Sequence, residues 1–279
     1  METHWGTLIA VAVFLVFAMY LSRTLVVTDD EAGYLSLGYL TLRGEISLYQ
    51  DEIAGGRVPL PFYVLGLSQL PLGPDLWAGR LLSVALGAGA LVLTVRAGAA
   101  VAGPWAGVLA GLLLATQGVV VGYFATAGYH ALTAVVLMAV LQLFIGTSST
   151  PRNLVAALAT GLLFLTRTHV QPLVPYLGGV AVLRTRGAIG RLLVLAAGIL
   201  TPAAFLLSDR SHWKLLAHVP GLQMIAASLG YHSVFFFSEP PETGFDTQLW
   251  SAVLFGRRYE SWTLAAAGLT PGAGRGTGG

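Results

Sequence analysis

The chain has no cysteine and one lysine, Lys214, and only 10% of its 279 residues are charged. An average soluble domain carries about 25% charged residues. Without cysteine there is no disulfide and no thiolate metal site, and the redox compartment is left open. With so few charges the chain cannot give a soluble fold of this size a hydrated surface. Fifteen basic residues stand against thirteen acidic ones, so the balance gives no reason to expect nucleic acid as a partner. No glycine-rich phosphate loop lies between a strand and a helix. The alternating pattern of a membrane barrel is also missing.

What is present is apolar: 55% of the residues are hydrophobic. In lipid every backbone polar group must be satisfied within the segment, and long apolar runs do this as helices. The chain therefore reads as an all-α, polytopic membrane bundle, counted in spans of about 20 residues. Expected spans are 7–27, 75–101, 104–124, 129–145, 153–169, 172–183 and 191–208, about seven in all. Residues 97–151 contain no Asp, Glu, Lys or Arg, a run too long for one helix. No basic stretch precedes segment 7–27 and no clear cleavage site follows it, so it reads as a span and not as a signal peptide. Segment 58–75 is apolar but rich in Pro and Gly, which suits a re-entrant or interfacial piece. Segment 209–262 mixes aromatic and charged groups, with a further span or interfacial helix expected near 215–237. The multi-pass domain is taken as 1–267, and the Gly-rich tail 268–279 is expected to be disordered.

Charge placement orients the chain. With the N-terminus in the cytoplasm, the inner loops 96–103, 146–153 and 184–191 hold Arg96, Arg152, Arg184, Arg186 and Arg191 and no acid. This obeys the rule that Lys and Arg collect in short cytoplasmic loops. Loop 28–75 then lies outside the cell membrane. Its first part, 28–57, carries eight charges: Asp29, Asp30, Glu31, Arg43, Glu45, Asp51, Glu52 and Arg57.

Three arginines, Arg23, Arg80 and Arg167, fall at outer span ends, where that rule does not explain them. Each could reach to headgroups along its own aliphatic stem. Together, beside an acidic loop, they also suit a phosphate, to which a guanidinium offers two parallel hydrogen bonds. Thr28 and Glu31 have the spacing of a capping box at the start of an interfacial helix, with Leu35, Tyr39 and Leu42 on one face. That box accounts for Glu31. It does not require both Asp29 and Asp30, and a carboxylate at the water–lipid boundary can serve as a general base. His130 reads as a packed polar residue. His212, His218 and His232 are too scattered for a metal site.

Asp30-Glu31, then Tyr34, Gly44, Tyr49, Asp51, Pro59, Pro61, Tyr63, Gly73 and Arg80-Leu81-Leu82-Ser83, occur in an order that resembles the first extracytoplasmic loop and second helix of polyprenyl-phosphate-dependent GT-C glycosyltransferases, closest to the protein O-mannosyltransferase and aminoarabinose-transferase branch. Leu165-Thr166-Arg167-Thr168-His169 resembles a later family segment with a basic residue at Arg167. The resemblance covers roughly residues 8–185, with Gly79 where the family has Ala. It implies Asp30 as catalytic base with Glu31 beside it, and Arg80 and Arg167 on the donor phosphate. The implied partners are a polyprenyl-phosphate sugar donor, a protein, lipid or glycan acceptor, and membrane lipid. No organic cofactor is implied, and a need for a divalent ion is left open. Relative to such enzymes the chain is expected to lack the C-terminal half. A lipid-linked-sugar flippase and an inactive scaffold are the alternatives; charges gathered at one face favour the interfacial enzyme over a mid-membrane transporter site. The orientation is testable because the chain is free of cysteine. Ser47→Cys is expected to label with an impermeant thiol reagent from outside and Thr150→Cys only from inside; outside labelling at position 150 would reverse the topology.

Overall fold

The structure is a computed structural model and describes residues 2–49, 57–71 and 73–208. Those residues form helices α1 (Glu2–Thr24), α2 (Asp29–Leu42), α3 (Leu60–Leu67), α4 (Leu76–Ala102), α5 (Pro104–Thr116), α6 (Gly118–Ala125), α7 (Tyr129–Phe144), α8 (Thr150–Phe164), α9 (Leu173–Leu183) and α10 (Ala188–Ser208), with a 3-10 turn at Thr168–Val170. No strand occurs among the described residues. The all-α reading holds. Segment 215–237 and the tail 268–279 lie outside the described residues.

Three helices are long and apolar enough to cross a membrane: α1, the 27-residue α4 and the 21-residue α10. At about 1.5 Å per residue, each exceeds the hydrocarbon thickness of about 30 Å. Their outward faces are apolar. Val16 in α1, Val101 in α4 and Ile189 in α10 are 69%, 77% and 77% exposed. A soluble protein rarely exposes apolar surface on this scale; lipid is the medium that suits it. These helices mark a membrane protein.

The expectation of seven full spans is not matched in length. Helices α5 and α6 form one apolar unit bent by 70°, which raises the count of candidate spans to four. The bend has a local cause. Gln117 leaves helical geometry (φ −76°, ψ 93°), and the Thr116 hydroxyl donates back to the carbonyl of Leu112 at 2.9 Å and to that of Leu113 at 3.2 Å, a type of bond that bends helices. Helices α7, α8 and α9 have 16, 15 and 11 residues. Helix α8 was expected to continue to residue 169. It stops at Phe164 because the Thr166 hydroxyl takes the Leu163 carbonyl and Arg167 is extended (φ −166°, ψ 141°).

Helix α4 is central. It packs against α1, α5, α6 and α7, while α8 packs on α7, α9 and α10. Phe14 from α1 meets Phe124 from α6 edge-on, with ring centres 6.2 Å apart, in a core that includes Val84 and Leu91 of α4. One end of the bundle gathers Arg152, Arg184 and Arg191. Arg152 donates to the carbonyls of Leu143 (2.7 Å) and Gln142 (2.9 Å), and Arg184 to that of Phe144 (2.7 Å). These cations close the C-terminus of α7, where the helix leaves carbonyls unpaired and the dipole favours positive charge.

At the other end α2 and α3 form a cap. The expected helix at 31–42 is present, but its buried face is not the Leu35–Tyr39–Leu42 stripe. Tyr34, Leu35, Leu37 and Gly38 are buried, and Tyr39 and Leu42 are partly exposed. The cause is α3, which crosses at Gly38 and Gly66 so closely that a Cβ on Gly38 would stand 2.0 Å from the Phe62 carbonyl oxygen. Gly38→Ala is therefore expected to destabilise the cap by about 1–3 kcal/mol and to lower the thermal midpoint of the detergent-solubilised protein. Gly178→Ala, with nothing within 4 Å of the added methyl, serves as the control and should leave the midpoint unchanged or raise it.

Candidate active site at the capped end

The site begins with the local chemistry of the α1–α2 turn. Thr28 is extended (φ −100°, ψ 152°) and caps α2. Its hydroxyl accepts the Glu31 amide at 3.3 Å, and Glu31 Oε2 accepts the Thr28 amide at 3.1 Å. The capping box expected from the sequence is thus present. Acids in the first turn also complement the helix dipole.

Glu31 has a second set of partners, however. Its Oε1 accepts Nε of Arg80 at 2.9 Å and the amide of Ala127 at 2.7 Å; its Oε2 accepts Nη2 of Arg80 at 2.9 Å. The two side chains are 1% and 4% exposed. Arg80 Nη1 donates to the carbonyls of Ser22 and Leu25, and Nη2 makes a long 3.5 Å contact to that of Val26. An arginine has five N–H groups, and all five of Arg80 are engaged inside the protein. As it stands, Arg80 has none left for a phosphate, and it does not line the cavity. The same two side chains join the end of α1, the start of α2, α4 and the turn before α7.

Asp30 points the other way. Its side chain is 53% exposed and accepts Nη2 of Arg57 at 2.7 Å. The backbone of Arg57 is held by the Tyr49 hydroxyl, which donates to its carbonyl at 2.9 Å. Burial pushes the Tyr49 phenol up, so the donor keeps its proton. The Arg57 guanidinium lies 5.7 Å from the centre of the Tyr34 ring, which packs on Phe62 at 4.7 Å and edge-on against Tyr129 at 5.8 Å. Tyr34 is 3% exposed. Burial pushes its phenol up, with Arg57 opposing, so the hydroxyl is a neutral donor at ordinary pH.

Arg167 faces this group from the loop after α8. Its guanidinium lies 4.3 Å above the Tyr129 ring, and its Nη1 is 3.3 Å from Nδ1 of His130. Its Nε approaches Nδ1 of His169 at 3.4 Å. His130 packs against the tilted rings of Tyr123 and Tyr129, with centres 4.2 and 4.0 Å away, which is the packed polar role expected of it. Asp30, Tyr34, Arg57, Tyr129, Arg167 and Thr168 are among the residues lining a cavity of about 290 Å³.

Of the four site residues expected from the sequence, the structure thus brings Asp30 and Arg167 to one cavity and sets Glu31 and Arg80 behind it as a buried pair. Arg57 and Tyr34 are functional candidates that the sequence reading assigned no role. A signal existed for Arg57: Arg43 and Glu45, close in sequence, pair locally at 2.8 Å, which leaves Arg57 as the remaining cation of loop 28–57. Arg23 lies over Trp77 at 5.7 Å, away from the cavity. Among the described residues, no three of His, Asp and Glu come together as a metal site. Comparisons with protein-family models, with curated proteins and with solved structures find no match.

Removing one member of the buried pair leaves a charge without its partner, at a cost of about 3–5 kcal/mol. Glu31→Gln is expected to lower the midpoint of unfolding far more than Asp30→Asn. Combining Glu31→Leu with Arg80→Met should recover part of the loss. Equal effects of Glu31→Gln and Asp30→Asn would show that the pair does not hold the capped end together.

Proposed function

We propose that the protein transfers a sugar from a polyprenyl-phosphate donor to an acceptor hydroxyl or amine at the extracytoplasmic face of the membrane. The observation that carries this reading is the cavity at the capped end, where a half-exposed carboxylate stands with two guanidiniums. Such a donor is an amphiphile whose phosphate rests at the interface while its tail stays in lipid, so chemistry at one end of a helical bundle suits it. In this reading the bundle has about seven membrane passes, with the N-terminus in the cytoplasm and the shorter helices completing the wall of the site.

Asp30 acts as the base. The acceptor oxygen or nitrogen forms a bond to the anomeric carbon as the bond from that carbon to the phosphate oxygen breaks. The electron pair leaves on the phosphate, and the acceptor proton passes to Asp30. Arg167 and Arg57 neutralise the charge that grows on the departing phosphate; fixed donors of this kind stabilise a transition state without reorganising. Glu31 and Arg80, which the family resemblance puts on the substrate, serve here to fix the turn that presents Asp30.

The test is sugar transfer in membranes supplied with polyprenyl-phosphate sugars. Asp30→Asn keeps the shape of the side chain and removes its basicity; turnover is expected to fall about 10²- to 10⁴-fold. Arg167→Ala should chiefly raise the KM for the donor. Full activity in Asp30→Asn would leave Asp30 as a helix-terminal acid only. Absence of transfer from every such donor would favour the flippase or scaffold reading.

A further inference from the structure

Arg57 stands between two anions, one present and one belonging to the substrate. Of its guanidinium nitrogens, Nη2 is committed to Asp30 Oδ1 at 2.7 Å, while Nη1 and Nε have no hydrogen-bond partner among the described residues. Gly33, one turn after Asp30 on α2, leaves room for this arrangement, since a Cβ there would stand 3.0 Å from Arg57 Nη1. The Asp30 side chain is half exposed, so the ion pair is one that water already screens, worth little and easily exchanged. The fold does not depend on it, because the buried Glu31–Arg80 pair holds the turn. Arg57 also keeps its backbone anchor, the Tyr49 hydroxyl, whatever its side chain does.

Resting on the phosphate-site reading above, we propose that Arg57 is a shared positioning residue: it holds Asp30 Oδ1 in the empty site and transfers to the donor phosphate on binding, which releases that oxygen as the base. Two phosphate oxygens take the Nη2–H and the free Nη1–H bonds side by side, the paired geometry that guanidinium favours. Oδ1, now without a donor, can accept the proton of the acceptor hydroxyl. The proton balance of the transfer is unchanged: one proton moves from the acceptor to Asp30, and the electron pair of the broken C–O bond stays on the phosphate. Donor binding thereby frees the one carboxylate oxygen of Asp30 that Arg57 holds.

The exchange predicts coupling between two substitutions, measured as binding of farnesyl phosphate to the full chain in lipid nanodiscs. Arg57→Ala is expected to weaken binding about tenfold or more, as loss of a charge-assisted bond does. Asp30→Asn removes the rival for Arg57 and is expected to tighten binding about two- to fivefold. In the Arg57→Ala background the same Asp30→Asn change should have no effect. If Asp30 merely repels the phosphate, Asp30→Asn tightens binding at least as much without Arg57, and the exchange is overturned. Arg57→Lys keeps the charge and should retain part of the tightening, which separates exchange from misfolding. If the unaltered protein binds no farnesyl phosphate, the phosphate-site reading itself fails; if it binds and the two substitutions are additive, only the exchange fails.

Discussion

One buried ion pair organises the end of the molecule where the chemistry is proposed. Glu31 and Arg80 are nearly inaccessible. Taking two charges from water costs several kcal/mol per ion, and the attraction between them offsets this only when the remaining hydrogen-bonding positions are filled. Here they are filled. Glu31 satisfies the Thr28 and Ala127 amides, and Arg80 satisfies carbonyls at the C-terminal end of α1. Carbonyls and amides at helix ends need partners wherever water is scarce. The pair supplies them to three chain segments at once, and so sets where α2 begins.

The position of Asp30 follows from that anchoring. Residues adjacent in a helix point about 100° apart, so fixing Glu31 inward turns its neighbour outward. The acidic run thereby divides into a structural member and an accessible one. Beyond it, the aromatic rings of Tyr34 and Tyr129 carry Arg57 and Arg167. Guanidiniums held over rings can still offer N–H groups to a ligand: Nη1 and Nε of Arg57 and Nη2 of Arg167 have no hydrogen-bond partner among the described residues. The cap made by α2 and α3 holds this arrangement beside the membrane bundle and outside its apolar core.

Much of this was legible in the sequence because it is local. Helices α1, α4 and α10 follow from long, predominantly apolar segments, and the Thr28–Glu31 box follows from spacing alone. Arg23 and Arg80 fall near helix ends as expected, and Arg167 in the loop just after α8. What could not be read is long-range. Arg80 lies 49 residues from Glu31, and nothing in either segment reveals that the guanidinium spends its donors on a neighbouring carboxylate and on carbonyls. Arg57 is 27 residues from Asp30 and appeared only as one charge among eight. The stop of α8 before Arg167 and the bend at Gln117 go with hydroxyl-to-carbonyl bonds of Thr166 and Thr116, which an apolar count passes over. The buried face of α2 was set by α3, through a glycine contact that periodicity does not register.

Glu31 and Arg80 hold the turn, and Asp30, Arg57 and Arg167 are the residues proposed to meet the substrate. The most direct measurement is an experimental structure of the full chain in a lipid nanodisc with a bound prenyl phosphate. Phosphate density is expected between Arg57 and Arg167, with the Glu31–Arg80 pair intact behind it. Phosphate on Arg80, with Glu31 displaced, would contradict it.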